Sequence, residues 1–177
     1  MENNSTPLLC WEVEKLLTPR KEAQHMELFD EIQEMFKYAS WGKDFTQEEI
    51  KRLCEFLTRR EVAAGEKVFS LGEKDFYLSY IIQGKVVIKK DYEGEEEKII
   101  VTFSPNTFFG EISLVDGLPR SASAVAKGDT VIACLPKQAY EDILAQDPVL
   151  GVKLQTSIMK VLAKRLRFTT LEYIRRQ

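Results

Sequence analysis

This sequence predicts a mainly β fold, an antiparallel barrel or jelly roll, with helices flanking it. Short strand-like segments follow one another between residues 62 and 135 at fairly even spacing. Turn residues, most often glycine, separate these segments, and helical patterns precede and follow them. Many short strands joined by such turns are typical of antiparallel barrels and double-sheet jelly rolls.

Seven strands are predicted: Val62–Ala64, Lys67–Ser70, Tyr77–Ile82, Lys85–Lys90, Lys98–Phe103, Ser121–Ala126 and Thr130–Leu135. Between the fourth and the fifth, Asp91-Tyr92-Glu93-Gly94 predicts a hairpin turn. These strands and short flanking helices form a predicted domain over residues 45–147.

A helical extension is predicted over residues 1–44. Apolar residues recur there at helical spacing in two runs: Leu9, Val13, Leu16 and Leu17, then Phe29, Ile32 and Phe36. Two interpretations stay open for this extension. It packs on the domain, or it is a docking or dimerisation element.

Two helix starts carry capping signals. Thr46-Gln47-Glu48-Glu49 is a capping box. The helix that it opens has an inner face of Ile50, Leu53, Cys54 and Leu57. Asp147-Pro148 predicts an N-cap followed by proline at the first helical position, so a long helix is expected over residues 148–177.

The long helix has two apolar stripes. One consists of Leu154, Ile158, Val161 and Phe168, and the other of Val152, Met159, Leu162, Leu166 and Tyr173. A helix on a monomer surface needs one such face. Two adjacent apolar faces predict that one packs on the domain and the other on a partner helix. The helix is therefore expected to act as a lid or dimerisation element. A single broad core face is the alternative.

Composition narrows the function classes. The net charge is −3, and no apolar run reaches the ~20 residues that span a bilayer. We therefore expect a cytoplasmic protein that binds neither membrane nor nucleic acid directly, with its three cysteines reduced. The single histidine, His25, gives little support to enzyme chemistry or a metal site, so no catalytic residue is assigned.

The stretch from Phe109 to Ala124 brings several polar groups into an apolar run. Gly110 permits a close approach of the backbone, and Glu111 opens one helical turn. Arg120 carries a planar fork suited to phosphate oxygens, whereas the Glu111 carboxylate suits a sugar hydroxyl. One acceptor and one phosphate clamp a few residues apart predict a site for a phosphorylated ribose.

The residues from Phe109 to Ala122 also carry a family resemblance. The pattern Phe-Gly-Glu-Ile-Ser-Leu, then Pro-Arg-Ser-Ala, resembles the phosphate-binding cassette of cyclic nucleotide-binding domains, as in cAMP receptor proteins and protein kinase A regulatory subunits. The likeness extends more loosely from Phe45 to Arg167 and suggests a standalone, bacterial-like member. It implies a jelly roll, a double-stranded β-helix, that binds cAMP or cGMP without any other cofactor.

The resemblance also implies site residues. Those of the cassette are Phe109, Gly110, Glu111, Ile112, Ser113, Arg120, Ser121 and Ala122. Ile88, Ile100 and Val101 would face the purine, unless they are plain core. Leu162, Arg165, Leu166 and Thr169 of the long helix would cover the base.

The expected function is a cyclic-nucleotide sensor whose ligand changes the position or assembly of the long helix. Ser121 keeps the hydroxyl that often meets guanine, but bacterial cAMP receptors also carry serine there, so we favour cAMP over cGMP. Expected partners are a second copy, through the long helix, and an unidentified downstream protein. The alternatives are a transcription regulator of the cAMP-receptor type without its helix-turn-helix, a docking module that no longer binds ligand, and a metal-dependent jelly-roll enzyme.

Overall fold

Two four-stranded antiparallel sheets form the body of the protein in this computed structural model, which describes residue 26, residues 28–34, residue 36, and residues 42–90 and 98–175. The strands are β1 (Thr58–Val62), β2 (Lys67–Phe69), β3 (Tyr77–Gln83), β4 (Val86–Lys90), β5 (Lys98–Phe103), β6 (Phe108–Phe109), β7 (Ser123–Ala126) and β8 (Thr130–Pro136). The helices are α1 (Gln47–Glu55), α2 (Glu111–Asp116), α3 (Lys137–Gln146) and α4 (Pro148–Arg175), and a 3-10 turn covers Gly42–Asp44. The predicted mainly β jelly roll with flanking helices is confirmed.

The sheets pack face to face. Their strand orders are β1-β8-β3-β6 and β2-β7-β4-β5. Side chains from both sheets meet in one apolar core: Val62, Val68, Phe69, Tyr77, Ile81, Val86, Phe109, Ala124, Ala126 and Ile132. Because side chains alternate along a strand, the other face of β3 carries Leu78 and Tyr80 into a second core, which the helices cover.

The N-terminal helical residues belong to this second core. Leu28, Ile32 and Phe36 are buried there, and the Phe36 ring meets the Phe45 ring edge-on at 5.4 Å. These residues pack on the domain, as the first interpretation of the extension expects. The predicted run from Leu9 to Leu17 and the predicted hairpin turn at residues 91–94 lie outside the described residues.

Local capping chemistry fixes the helix starts. The Glu49 backbone N–H donates to Thr46 Oγ1, and the Thr46 N–H donates to Glu49 Oε2 at 2.8 Å, which completes the predicted capping box. Asp147 Oδ1 accepts from the Leu150 N–H at 3.1 Å, the N-cap bond expected of that residue. Both predicted helix starts are therefore confirmed.

Most strand bounds shift by one or two residues from prediction, as in β7, which begins at Ser123 rather than Ser121, and two differences are larger. β1 covers Thr58–Val62 rather than Val62–Ala64, since polar residues form it by pairing with β8. The two-residue strand Phe108–Phe109, which pairs with Ser79 and Tyr80, was not predicted.

Helix α4 buries one apolar stripe and exposes the other. Leu154 and Ile158 are buried, and Val161 packs beside them. Phe168 was predicted on this stripe but is exposed. Of the second stripe, Leu162 is partly buried, and the others are exposed: Val152, Met159, Leu166 and Tyr173.

Ion pairs hold α4 to the helical layer. Lys153 Nζ lies 2.7 and 2.8 Å from the two oxygens of Glu49, whose side chain is 9% exposed. Lys160 pairs with Asp44 at 2.6 Å on the surface. Burial alone would raise the pKa of Glu49, but hydrogen bonds from Lys153 and the Thr46 backbone outweigh it and lower that pKa below its usual value.

We predict that Lys153→Met lowers the free energy of unfolding by about 2 kcal/mol at pH 7, because it removes the charged donor of a buried carboxylate. Urea denaturation measures this. Lys160→Met is the matched control on the same helix. Its pair is exposed at both ends, so the expected loss is much smaller than that of Lys153→Met.

The pH dependence gives a second check on Lys153. A lowered folded pKa means that Glu49 stabilises the fold above its unfolded pKa and loses that contribution as the pH falls through the folded value. The difference between wild type and Lys153→Met should therefore shrink in acid. A difference that is constant between pH 7 and pH 3 would contradict this role.

Candidate functional site

The loop between β6 and β7 has a backbone that glycine makes possible. Gly110, at the N-cap of α2, has a φ of +82°, and Gly117 ends the helix with a φ of +69°. A Cβ on Gly110 would lie 2.8 Å from Arg120 Nη1 and 3.0 Å from the Tyr77 carbonyl oxygen. Gly110 therefore permits both the turn and the close approach of Arg120.

Arg120 lies in the interior at the end of this loop and is 2% exposed. Its Nη1 donates to the Gly110 carbonyl and its Nη2 to the Tyr77 carbonyl, both at 2.9 Å. Its Nε is buried without a hydrogen-bond partner. The side chain is held by backbone carbonyls, and its Nε is the one guanidinium nitrogen left without a partner.

No carboxylate of the described residues forms an ion pair with Arg120. Burial lowers the pKa of its guanidinium, although nearby Tyr77, Asp75 and Glu73 act in the opposite direction. An arginine stays protonated in proteins even so. A buried cation that no carboxylate of the described residues contacts directly is a suitable receptor for an anion.

Glu111 is the second buried charge of the loop and is also 2% exposed. Its Oε1 accepts a hydrogen bond from Nη1 of Arg165, which comes from α4. Nη2 of Arg165 donates to the Phe108 carbonyl, and the guanidinium lies 4.5 Å from the centre of the Phe103 ring. Arg165 thus connects the long helix to the loop.

The Glu111 carboxylate can still act as an acceptor beyond this contact. An ionised carboxylate offers about four lone-pair sites, and the bond from Arg165 uses one. A sugar hydroxyl could therefore bind beside Arg165, or it could replace Arg165.

The remaining cassette residues divide between interior and surface. Phe109, Ser113 and Ala122 are buried, and Phe109 packs against the rings of Phe69 and Phe103. Ile112 and Ser121 are exposed. The carbonyl of Ser113 accepts from the Gly117 N–H, which closes α2.

The predicted purine-facing residues do not all share one environment. Ile88 packs partly buried against the inter-sheet core, and Val101 lies opposite it in the β4–β5 register. Ile100 stands next to a bulge in that register and is 58% exposed. The register pairs Ile88 with Val101, but Val101 is 36% exposed, so only Ile88 of the three packs against the core.

The four candidates from α4 also differ. Arg165 contacts the loop, whereas Leu162 packs on the helical core. Leu166 is 69% exposed, and exposed Thr169 donates its hydroxyl to the Arg165 carbonyl at 3.0 Å. Sequence analysis proposed Arg165 for the base, but its contact here is with Glu111.

Sequence analysis missed three aromatic residues around the two charges: Phe69, Tyr77 and Phe103. Phe69 and Tyr77 flank the Arg120 guanidinium, and Phe103 lies beneath Arg165. Phe103 is two residues after Val101 on the same strand, so strand alternation could have placed it on the same face. Nothing local marks the other two.

The described residues contain no group of three or more His, Cys, Asp or Glu that could hold a metal ion, and His25 lies outside them. Among the described residues, no helix combines the length and apolarity needed to cross a bilayer.

The double-sheet β fold carries a buried carboxylate and a buried guanidinium on one loop that begins at a glycine, an arrangement suited to a small charged ligand. The profile of the cyclic nucleotide-binding domain family matches residues 59–147, about half of the chain. The chain belongs to this family.

Individual relatives agree with this assignment. The chain is 32% identical to the cyclic AMP receptor protein of Thermus thermophilus over 125 residues, which cover 71% of this chain and 56% of that protein. It is 33% identical to the cAMP-dependent protein kinase regulatory subunit of Mycosarcoma maydis over 109 residues, 59% of this chain and 20% of the subunit. The chain thus spans about half the length of the first relative and a fifth of the second.

A solved crystal structure of the same family has a similar fold. A cyclic nucleotide-binding domain from Methylobacillus flagellatus superposes with a TM-score of 0.78 at 29% identity and covers 85% of both chains.

We predict that Gly110→Ala lowers the free energy of unfolding by about 1 kcal/mol more than Gly65→Ala does, because Gly65→Ala causes backbone strain alone. The added Cβ would displace Arg120 from its carbonyl partners. Gly65→Ala is the matched control, since Gly65 also has a φ of +82° but open space around its Cβ position, and should cost about 1 kcal/mol. Equal losses for the two variants in urea denaturation would contradict the close approach.

Proposed function

We propose that this protein is a sensor that binds a cyclic nucleotide, cAMP in preference to cGMP. The observation that carries the proposal is the buried Arg120 guanidinium, which has no carboxylate partner among the described residues and shares its loop with buried Glu111. Family membership supplies the class of ligand. The fold and the relatives' regulatory names favour a sensor over an enzyme.

The two charges suggest how the ligand is oriented. The cyclic phosphate binds at Arg120, where the unpartnered Nε is available, and the ribose hydroxyl binds Glu111. The base then points towards Ile88, Val101 and the underside of α4. Phe103, 4.5 Å from the Arg165 guanidinium, adds a flat apolar wall to that region.

The preference for cAMP rests on the relatives and on Ser121. The two relatives described above are named for cAMP. Ser121 is exposed, so its hydroxyl is accessible to a base or phosphate at the loop.

Arg165 provides a route from the ligand to the long helix. It lies on α4 and binds Glu111 and the Phe108 carbonyl of the loop. A ribose that competes for Glu111, or that binds together with Arg165, changes how firmly α4 is held. The ligand shifts the helix only by its difference in affinity for the two helix positions.

The exposed face of α4 supports a homodimer. Val152, Met159, Leu166 and Tyr173 recur every seven residues and are exposed along the 28-residue helix. A seven-residue apolar repeat is the pattern by which helices pair in coiled coils. We place the protein in the cytoplasm, where a downstream protein would detect the changed helix or assembly.

Two other functions each have an observation in their favour. A docking module without ligand is favoured by the internal bonds of the site, because Gly110, Tyr77 and Arg165 already engage Arg120 and Glu111. A transcription regulator of the cAMP-receptor type is favoured by the 32% identity to the receptor protein of Thermus thermophilus.

We predict that isothermal titration detects binding of cAMP more tightly than of cGMP, and that Arg120→Ala weakens cAMP binding roughly 10- to 100-fold. The variant removes charged hydrogen bonds to the phosphate, each worth about 1.5–3 kcal/mol. Arg60→Ala is the control. Arg60 also donates to a backbone carbonyl and pairs with a carboxylate, but it lies outside the loop.

Two results would contradict the proposal. Absence of binding by the wild type would favour the docking module. Equal affinities of wild type and Arg120→Ala would leave ligand binding standing but remove its assignment to this loop.

We predict that the wild type sediments as a dimer in analytical ultracentrifugation and that Leu166→Glu dissociates it, since a charge would enter the apolar stripe. Lys164→Glu changes an exposed residue of the same helix that lies off this stripe, and should stay dimeric. A monomeric wild type, with and without cyclic nucleotide, would contradict pairing through α4.

A further inference from the structure

We infer that Tyr77 and Phe69 are positioning residues for the phosphate group: their rings contact the Arg120 guanidinium from two directions roughly at right angles and leave an edge of it available to the anion. This inference rests on the proposed function and deepens it. It assigns a role in anion recognition to two residues outside the cassette, on β3 and β2.

The geometry around Arg120 carries the inference. The central guanidinium carbon lies 4.1 Å from the centre of the Phe69 ring and 4.6 Å from that of the Tyr77 ring. The two rings stand nearly perpendicular to each other, 6.1 Å apart. A cation over an aromatic face is stabilised by the ring's quadrupole, most strongly where water is excluded.

Tyr77 holds the arginine in two ways and is itself anchored. Its carbonyl oxygen accepts from Nη2 of Arg120, while its ring flanks the guanidinium. Its hydroxyl donates to the Val68 carbonyl at 2.6 Å in the interior, which ties β3 to the strand that carries Phe69. The side chain therefore has little freedom to move away from Arg120.

The way this charge is stabilised matters for binding. A guanidinium has five N–H donors, and the Gly110 and Tyr77 carbonyls take one from each terminal nitrogen. A carboxylate partner would occupy the edge that a phosphate needs. Aromatic rings offset part of the desolvation without using any donor, so the Nε–H remains for an incoming anion.

The test compares Tyr77→Leu with Tyr77→Phe and with Tyr80→Leu. Tyr77→Phe keeps the ring and the backbone carbonyl. Tyr80→Leu is the matched control, because Tyr80 is equally buried on the same strand but faces the helical core. Phe69→Leu is a second variant with the same expected result as Tyr77→Leu and serves where Tyr77→Leu does not fold.

Each variant is titrated with cAMP and with adenosine, which lacks the phosphate. We expect Tyr77→Leu to weaken cAMP binding about tenfold, within the range that a cation–π contact supplies, and to leave adenosine binding unchanged. Tyr77→Phe and Tyr80→Leu should keep the wild-type ratio of the two affinities. An equal loss for both ligands in Tyr77→Leu, or the same change in ratio in Tyr80→Leu, would overturn the inference.

A ligand-free measurement separates this inference from the proposed function. In nitrogen-15 spectra of the arginine side chains, the Nε–H of Arg120 is identified by its absence in Arg120→Lys. It should exchange slowly with water in the wild type and in Tyr80→Leu, and rapidly in Tyr77→Leu. If the wild type binds no cyclic nucleotide, the proposed function fails. The exchange rates of the Nε–H still test whether Tyr77 holds the Arg120 guanidinium in place. Slow exchange in Tyr77→Leu would overturn the positioning.

Discussion

The interior of this protein holds a positive charge that no carboxylate of the described residues neutralises. Much of the surrounding structure is arranged around the Arg120 guanidinium. Gly110 provides the space, and the carbonyls of Gly110 and Tyr77 provide the acceptors. The backbone of Arg120 is also fixed, since its N–H donates to the Glu73 carbonyl and its carbonyl accepts from Gly72. A buried charge held by neutral groups retains a strong affinity for an anion.

The second charged group of the loop gives this arrangement a connection to the rest of the chain. Glu111 bonds Arg165 across 54 residues of sequence, and Arg165 belongs to a helix that Lys153 and Lys160 attach elsewhere. Under the proposed function, ligand recognition and helix position would share this one carboxylate. Binding at the loop would then affect how firmly α4 is held.

The sequence predicts features that depend on neighbouring residues. The Thr46–Glu49 capping box, the Asp147 N-cap and the bounds Lys98–Phe103 all follow from short patterns and appear in the structure. The fold class follows from the same strand and turn spacing. The strand Thr58–Val62 could not be predicted from an apolar pattern, because pairing with β8 forms it from mostly polar residues.

The site was harder to predict from the sequence than the helix starts, because several of its contacts join residues that are far apart in the chain. Glu111 and Arg120 lie in one continuous loop, so their residue types and spacing already indicated a phosphorylated sugar. The contacts of Tyr77 with Arg120 and of Arg165 with Glu111 join residues 43 and 54 positions apart. Such pairs depend on how the sheets and α4 pack, which no short pattern encodes.

The attachment points along α4 have a mechanical consequence. From Lys153, where the helix is fixed to Glu49, Arg165 is about 18 Å away and Arg175 about 33 Å away at 1.5 Å per residue. If the helix pivots as a rigid rod about its inner anchor, the outer tip travels about 1.8 times as far as the arginine at the pocket. If Arg165 moved by about the width of one hydroxyl group, the tip of α4 would then move by a larger distance. Under such a pivot, the distal end of α4 would act as the long arm of a lever.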